Sequence, residues 1–223
     1  MFDNNWNDVI YANNKQVNKY PYDWVVSKVN RYFNSYHLLN EESALELGSG
    51  TGNNLGFLSE FGFGQVVGIE GSEEATDLAK NFLKQKNNIK FETYDFVSLP
   101  IENNSFIFCL DRGSITHNSI SDITKTIEEV HRVLKPGGYF FSSIFSKDHY
   151  QWSKTKKHKD YTLSFEDIMG VKGGIIASFF EENDIKNLFS KFDIVEFIHE
   201  VNTWHHDKNK STAMWNIIAQ KKI

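Results

Sequence analysis

The stretch ALELGSGTGNN, residues 44–54, constrains this chain more than any other. An apolar run enters a loop with glycine at positions 48, 50 and 52, and a helical pattern leaves it. A strand, a glycine turn and a helix in that order open a βαβ unit whose backbone amides can approach a ligand closely. A dinucleotide fingerprint needs Gly-x-Gly-x-x-Gly, but Asn53 stands at the third glycine position counted from Gly48. The Gly-Lys-Ser/Thr ending of a nucleoside triphosphate loop is also missing. Alone, the loop fits either a cofactor site or a tight strand-to-helix turn.

The residues around it repeat the alternation. Trp24, Val25, Val29 and Phe33 predict an amphipathic helix over 22–39. A strand follows at 44–47 and a helix at 53–61, then a strand from Gln65 to Glu70 and a helix from Ser72 to Lys86. Ser72 suits the N-cap of that helix, with Glu73 and Glu74 in its first turn. Strands are expected at 89–94 and 105–110, then a helix at 121–134 stopped by Lys135-Pro136-Gly137-Gly138, and a fifth strand at 139–146. Alternation of this kind means parallel strands, crossover helices and a ligand at the carboxyl ends of the strands. The end of the chain departs from it: a helix at 182–191 precedes strands at 192–202 and 211–221. These are separated only by TWHHDKNK and so should be antiparallel neighbours.

Length and composition narrow the setting. At 223 residues the chain is expected to form one domain, 1–223, with capping helices over 1–39 and a lid-like insertion over 147–181. Cys109 is the only cysteine, which rules out an intrachain disulfide and fits a reducing compartment. No apolar stretch approaches the roughly 18–20 residues of a bilayer span, and the opening MFDNNWNDVIYANN lacks the pattern of a secretory signal. A soluble, cytoplasmic protein without membrane insertion is expected. The net charge of −5 argues against a nucleic-acid partner. His199, His205 and His206 lack a carboxylate or cysteine cluster at ligand spacing, so no metal is assigned.

Two more strand ends carry acids. Glu70 closes VVGIEGS, where an ionised carboxylate can accept both hydroxyls of a ribose. Asp95-Phe96 follows the third expected strand, where a carboxylate can meet an adenine amino group and the next amide a ring nitrogen. With these residues in place, the sequence resembles the class I S-adenosylmethionine-dependent methyltransferases. ALELGSGTGNN is similar to their first motif and VVGIEGS to their acidic second-strand end. YDFVSLPIENNSFIFCL is similar to the adenine-contacting stretch, and EEVHRVLKPGGYFF to the helix, turn and fifth strand. The resemblance implies an α/β, Rossmann-like sheet of seven strands, helices on both faces and an antiparallel C-terminal pair. It implies S-adenosylmethionine as cofactor, with S-adenosylhomocysteine as product. It also implies cofactor contacts from Tyr11, Tyr20, Glu46, Gly48, Ser49, Gly50, Gly52, Asn53 and Asn54. Further contacts would come from Glu70, Gly71, Ser72, Asp95, Phe96, Asp111 and Arg112.

Within the family, DRGSITH (111–117) is similar to small-molecule enzymes, including those of bacterial surface-polysaccharide clusters. The expected acceptor is an oxygen of a sugar, sugar phosphate, nucleotide-linked sugar or phosphate-derived group. His117 is a candidate base or a packing histidine; Asp111 is a second candidate base, or a holder of the cofactor's amino group or of Arg112. Arg112, His149 and Trp152 are candidate acceptor contacts. Lys147, Lys154, Lys156, Lys157 and Lys159 form a local basic run that reads either as a cover over an anionic acceptor or as a solvated loop, with Gly173-Gly174 as its hinge or an ordinary turn. An RNA or protein methyltransferase and a nonenzymatic cofactor-binding module are the alternatives. The oligomeric state, monomer or homodimer, is left open.

Overall fold

The computed structural model describes residues 3–34, 38–160, 162–164 and 174–223. Among them the strands, in chain order, are β1 (Ser43–Leu47), β2 (Gln65–Ile69), β3 (Ile89–Glu92), β4 (Phe106–Arg112) and β5 (Leu134–Phe145), then β6 (Thr155–Lys157), β7 (Thr162–Ser164), β8 (Ile176–Ala177), β9 (Phe192–Trp204) and β10 (Asp207–Lys221). The helices are α1 (Asp23–Phe33), α2 (Asn53–Phe61), α3 (Glu73–Phe82), α4 (Ile120–Val133) and α5 (Glu182–Leu188). Seven strands make one sheet in the order β3-β2-β1-β4-β5-β10-β9. The first five pair in parallel, and β10 runs antiparallel to both β5 and β9. Strand order reverses between β1 and β4, the place where open sheets of this kind leave a crevice for a ligand.

Helices cover both faces, and each face has its own core. Val25, Val29 and Phe33 of α1 and Leu55 and Leu58 of α2 pack with Phe63, Phe108 and Phe141 on one side. Ile123, Ile127, Val130 and Val133 of α4 pack with Leu45, Cys109, Phe140 and Phe189 on the other. Burial on both faces is why β1 and β4 read as nearly unbroken apolar runs. Phe33, Phe63 and Phe108 meet ring to ring at 5.3–5.7 Å, and each such buried ring contributes about 1.5–3 kcal/mol. Ser72 caps α3 by accepting the Ala75 amide, as its position predicts, and Ser119 caps α4 by accepting that of Asp122.

Several boundaries differ from expectation; α3 ends at Phe82 and α5 at Leu188, each a few residues short. β3 ends at Glu92 rather than at 94, so Thr93 to Phe96 leave the sheet early. β5 starts at Leu134, drawing the Lys-Pro-Gly-Gly turn into the strand. Gly137 takes φ +78°, and the ladder with β4 shifts register between Phe106 and Phe108, which absorbs the extra residues as a bulge. β9 and β10 extend through most of the expected loop, leaving His205-His206 as the turn. The helix expected over 22–39 stops at Phe33, and positions 35–37 lie outside the described residues.

The insertion over 147–181 holds a short 3-10 turn, Trp152–Lys154, and a three-stranded antiparallel sheet, β6-β7-β8. Positions 161 and 165–173, including the expected hinge residue Gly173, lie outside the described residues. Among the described residues no helix is long and apolar enough to cross a membrane.

Candidate functional site

The loop after β1 is tied first to its neighbour strand: the amides of Gly48 and Ser49 both donate to Ile69 O, at 2.8 and 3.1 Å. Gly50 sits at φ +51°, and a Cβ there would come within 2.9 Å of the Tyr11 hydroxyl, so the loop and the N-terminal segment meet in space that only glycine leaves open. Thr51 Oγ1 donates to Asn18 O at 2.6 Å, and the Tyr22 amide donates to Asn54 Oδ1 at 3.2 Å. Residues before α1 are thereby held across the ends of β1 and β4.

These elements enclose a cavity of about 360 Å³ at the strand-order reversal. Its walls take Glu46, Gly48, Ser49, Gly50, Asn53 and Asn54 from the first loop, Glu70 and Gly71 from the second, and Asp95 and Phe96 beyond β3. Arg112 and His117 stand at the exit of β4, and Tyr11 closes from the N-terminal side. Sixteen positions were expected to touch the cofactor, and Tyr20, Gly52, Ser72 and Asp111 are the ones absent from these walls. Tyr20 is 84% exposed, and only its backbone carbonyl reaches inward, accepting from Asn53. Gly52 starts α2 and Ser72 caps α3, so both shape the loops from behind. Trp6, Gln16, Asn18, Tyr22, Thr93, Tyr94, Ser114 and Asn118 are wall residues that the sequence reading missed. Thr93 and Tyr94 come to the wall because β3 ends at Glu92, two residues before its expected end; the N-terminal residues carry no local motif.

Three buried acids sit at neighbouring strand ends in different surroundings. Glu70 Oε2 accepts the Gly50 amide at 2.8 Å and Oε1 accepts that of Ser72 at 2.9 Å. Burial pushes its pKa up, against the pull of those amides. Glu46 Oε1 accepts from the Asn54 amide group at 2.7 Å, whereas Oε2 is buried without a partner. Burial raises the Glu46 pKa to about 8, opposed by Asn54 and reinforced by the charges of Asp111 and Glu70. Asp111 accepts from the Ser114 amide (2.8 Å), the Ser114 hydroxyl (2.6 Å), the Ile115 amide (3.0 Å) and the Ser142 hydroxyl (2.8 Å). It is fully buried and off the cavity wall, and it bonds neither Arg112 nor a ligand space. Asp111, expected as a base or cofactor contact, thus stands behind the cavity and binds the turn after β4.

Arg112 lies 4.7 Å from the Tyr22 ring centre, with Nη1 3.4 Å from Met214 Sδ, and its buried Nε has no partner. His117 Nδ1 lies 3.1 Å from Ile176 O, a pairing that places the ring proton on Nδ1 and leaves Nε2 as the acceptor. Burial lowers its pKa to about 4, against the Ile176 carbonyl and Asp3, so the ring is neutral at pH 7. Trp6 meets it edge-on at 4.8 Å.

Among the described residues the insertion supplies none of this cavity's walls, and it touches them through Ile176 O on His117. His149 is buried against Phe145 and Tyr150, accepting the Gln151 amide, and burial lowers its pKa to about 4. Trp152 lines a different cavity. None of Lys147, Lys154, Lys156, Lys157 and Lys159 is on the wall, so the reading of this run as a cover over an anionic acceptor loses its geometry. Cys109 is buried in the core, as expected, and burial pushes its thiol pKa up.

Charge and shape define what the walls can hold. An acid with a free oxygen and an arginine with a free N–H stand at one end. A carboxylate with spare lone pairs lies in the middle, and an acid with an aromatic residue at the other. An amino-acid group, a ribose and an adenine in sequence match that order of donors and acceptors. Among the described residues no group of three metal-ligating side chains occurs.

Comparison with known proteins agrees. Residues 44–138 match a family described as a methyltransferase domain. The EEF1A lysine methyltransferase 2 of Homo sapiens is 26% identical over 149 residues, 63% of this chain and 61% of that protein. The demethylmenaquinone methyltransferase of Staphylococcus saprophyticus is 30% identical over 114 residues, covering 51% of this chain and 46% of that one. The match thus spans about half to three fifths of these curated relatives. Among solved structures, a SAM-dependent methyltransferase from Methanosarcina mazei superimposes with a TM-score of 0.68 at 22% identity, covering 92% of this chain and 99% of that one. The fold is the Rossmann-like α/β methyltransferase fold.

Proposed function

We propose that this chain, whose residues 44–138 match the methyltransferase domain family on a class I S-adenosylmethionine-dependent fold, transfers a methyl group from that cofactor to an oxygen of a small molecule. The observation that carries the acceptor reading is His117, a neutral ring on the cavity wall whose Nδ1 is committed to Ile176 O. Nε2 is then the proton acceptor for a hydroxyl, a role worth about 10²–10⁴-fold in rate.

In this reading the unpartnered Glu46 oxygen takes the cofactor's ammonium, and Arg112 its carboxylate. Glu70 accepts the ribose hydroxyls, Asp95 the adenine amino group, and the Phe96 amide a ring nitrogen. The sulfonium supplies a methyl group already activated for transfer, so the protein's share is alignment and proton removal. Arg112 is the only cation among the described wall residues and is used by the cofactor here, so a neutral hydroxyl is preferred over a phosphorylated acceptor.

A lysine side chain is a second reading, drawn from the human relative. The rings of Trp6, Tyr11 and Tyr22 on the wall favour it, since aromatic faces attract a cation. S-adenosylhomocysteine release should be measured with matched neutral and phosphorylated sugars and a lysine peptide. Release with neutral sugars supports the proposal, and release confined to the peptide overturns it in favour of lysine. His117→Ala should lower turnover by about 10²–10⁴-fold with cofactor affinity unchanged. A variant with full turnover would remove the base.

A further inference from the structure

A second cavity, of about 570 Å³, lies between α4, α5 and the insertion and shares no wall residue with the first. Its floor is apolar and buried, made by Ile127, Phe179, Phe180 and Phe192. Its charges do not balance: three lysines face two acids. Lys147 pairs with Glu181 and Asp184, at 3.0 and 3.7 Å, and Lys191 with Glu128 at 2.8 Å. Lys157 has no carboxylate partner among the described residues; its ammonium lies 4.2 Å from the ring centre of Trp152. An apolar floor, aromatic walls and a cation without a carboxylate partner among the described residues are the complement of a flat apolar body bearing one negative charge.

The same walls reach the first site. Ser178, Phe179 and Phe180 line the second cavity. The Ser178 amide donates to Thr116 O at 2.8 Å, its hydroxyl donates to Asn118 O at 2.7 Å, and Ile176 O holds the His117 ring. Thr116 to Asn118 is the turn that carries His117.

We propose that this cavity binds a small aryl carboxylate, with its ring on the phenylalanine floor and its carboxylate on Lys157, and that occupancy is transmitted to His117 through residues 176–180. Neither part requires methyl transfer, so each reading can fail without the other.

Titration calorimetry with 2-naphthoate and its neutral amide tests the site. The carboxylate should bind saturably and about tenfold more tightly than the amide, the scale of one charge-assisted hydrogen bond. Lys157→Gln should erase that preference. Thr124→Trp, at an exposed wall position of α4, should fill the cavity and abolish binding. Glu70→Ala, which alters the first cavity, should leave binding intact. Alongside, the His117 ring carbon resonance should move when naphthoate is added to the wild-type protein and stay still in Thr124→Trp. Absence of saturable binding into the millimolar range, equal affinity for acid and amide, or binding that survives Thr124→Trp would overturn the site. Binding that left the His117 resonance unmoved would overturn the coupling.

Discussion

The ends of β1 and β4 lie side by side, Leu47 opposite Asp111 in the ladder, and each carries a buried acid. Asp111 is met by four donors, from the turn that follows it and from Ser142 on β5. Among the described residues Glu46 has one donor, Asn54, and one oxygen without a partner. Burial costs both carboxylates their hydration and pushes both pKa values up, but four donors oppose that shift at Asp111 and Asn54 alone opposes it at Glu46. A saturated acid holds the fold together, whereas an unsaturated one on a cavity wall is poised for a ligand. Glu70 lies between them, with an amide on each oxygen and lone pairs to spare.

The sharpest way to break this contrast is to remove Asp111. Asp111→Ala would strand the Ser114 and Ile115 amides and the Ser142 hydroxyl, leaving the Ser114 hydroxyl on Leu47 O, and should cost on the order of 3–5 kcal/mol in urea unfolding. Unchanged stability with lost turnover would make Asp111 catalytic after all. Glu70→Ala should come next, weakening cofactor binding by about 1–3 kcal/mol in calorimetry. Glu46→Gln should weaken the cofactor by about 1–2 kcal/mol while leaving the fold intact. If it unfolded the protein as Asp111→Ala does, the distinction between the two strand ends would collapse.

The smallest effect is in protons. Glu46 has a pKa of about 8 in the folded protein against an ordinary 4.5, so it is largely protonated at pH 7. An ammonium placed beside it favours the carboxylate, and cofactor binding at pH 7 should release up to one proton. Calorimetry in buffers of different ionisation enthalpy would detect it. Without cofactor, a raised pKa means that the Glu46 contribution to stability is present below pH 4.5 and is lost as pH rises toward 8. His117 acts in the other direction. Its pKa falls from 6.5 to about 4, so its contribution is present above pH 6.5 and lost as pH drops toward 4. Turnover limited by His117 should therefore keep its acid limb near pH 4 rather than 6.5.

Most of the sheet was legible because its signals are local. The apolar runs of β1, β2 and β4, the Ser72 cap and the stripe of α4 each follow from a few neighbouring residues. The turn at Lys135-Pro136-Gly137-Gly138 misled for the same reason: its composition says stop, yet pairing with β4 keeps it in the ladder as a bulge. The acidic strand ends were legible as acids but not as roles. Asp111 and Glu46 are both carboxylates beside glycine-containing turns; the donors Ser114 and Ile115 lie within four residues of Asp111, but only the fold shows that they turn back onto it while Glu46 meets Asn54 alone. The basic insertion shows the limit most plainly, since its lysines count as a cluster in sequence, yet none is on the wall of the first cavity and Lys147 and Lys157 line the second.

The sequence by itself determined the alternation of strands and helices, the glycine turn and the three strand ends that bear acids, because hydrophobic period, capping and glycine conformation act over a few residues. Tertiary structure alone decided that Trp6 and Tyr22 join Tyr11 around the cavity, that Ser142 of β5 completes the donors to Asp111, and that Ile176, 59 residues on, sets which nitrogen of His117 holds the proton. Hydrogen bonds and burial are assigned between partners distant in the chain, and those partners exist only once the sheet has brought them together.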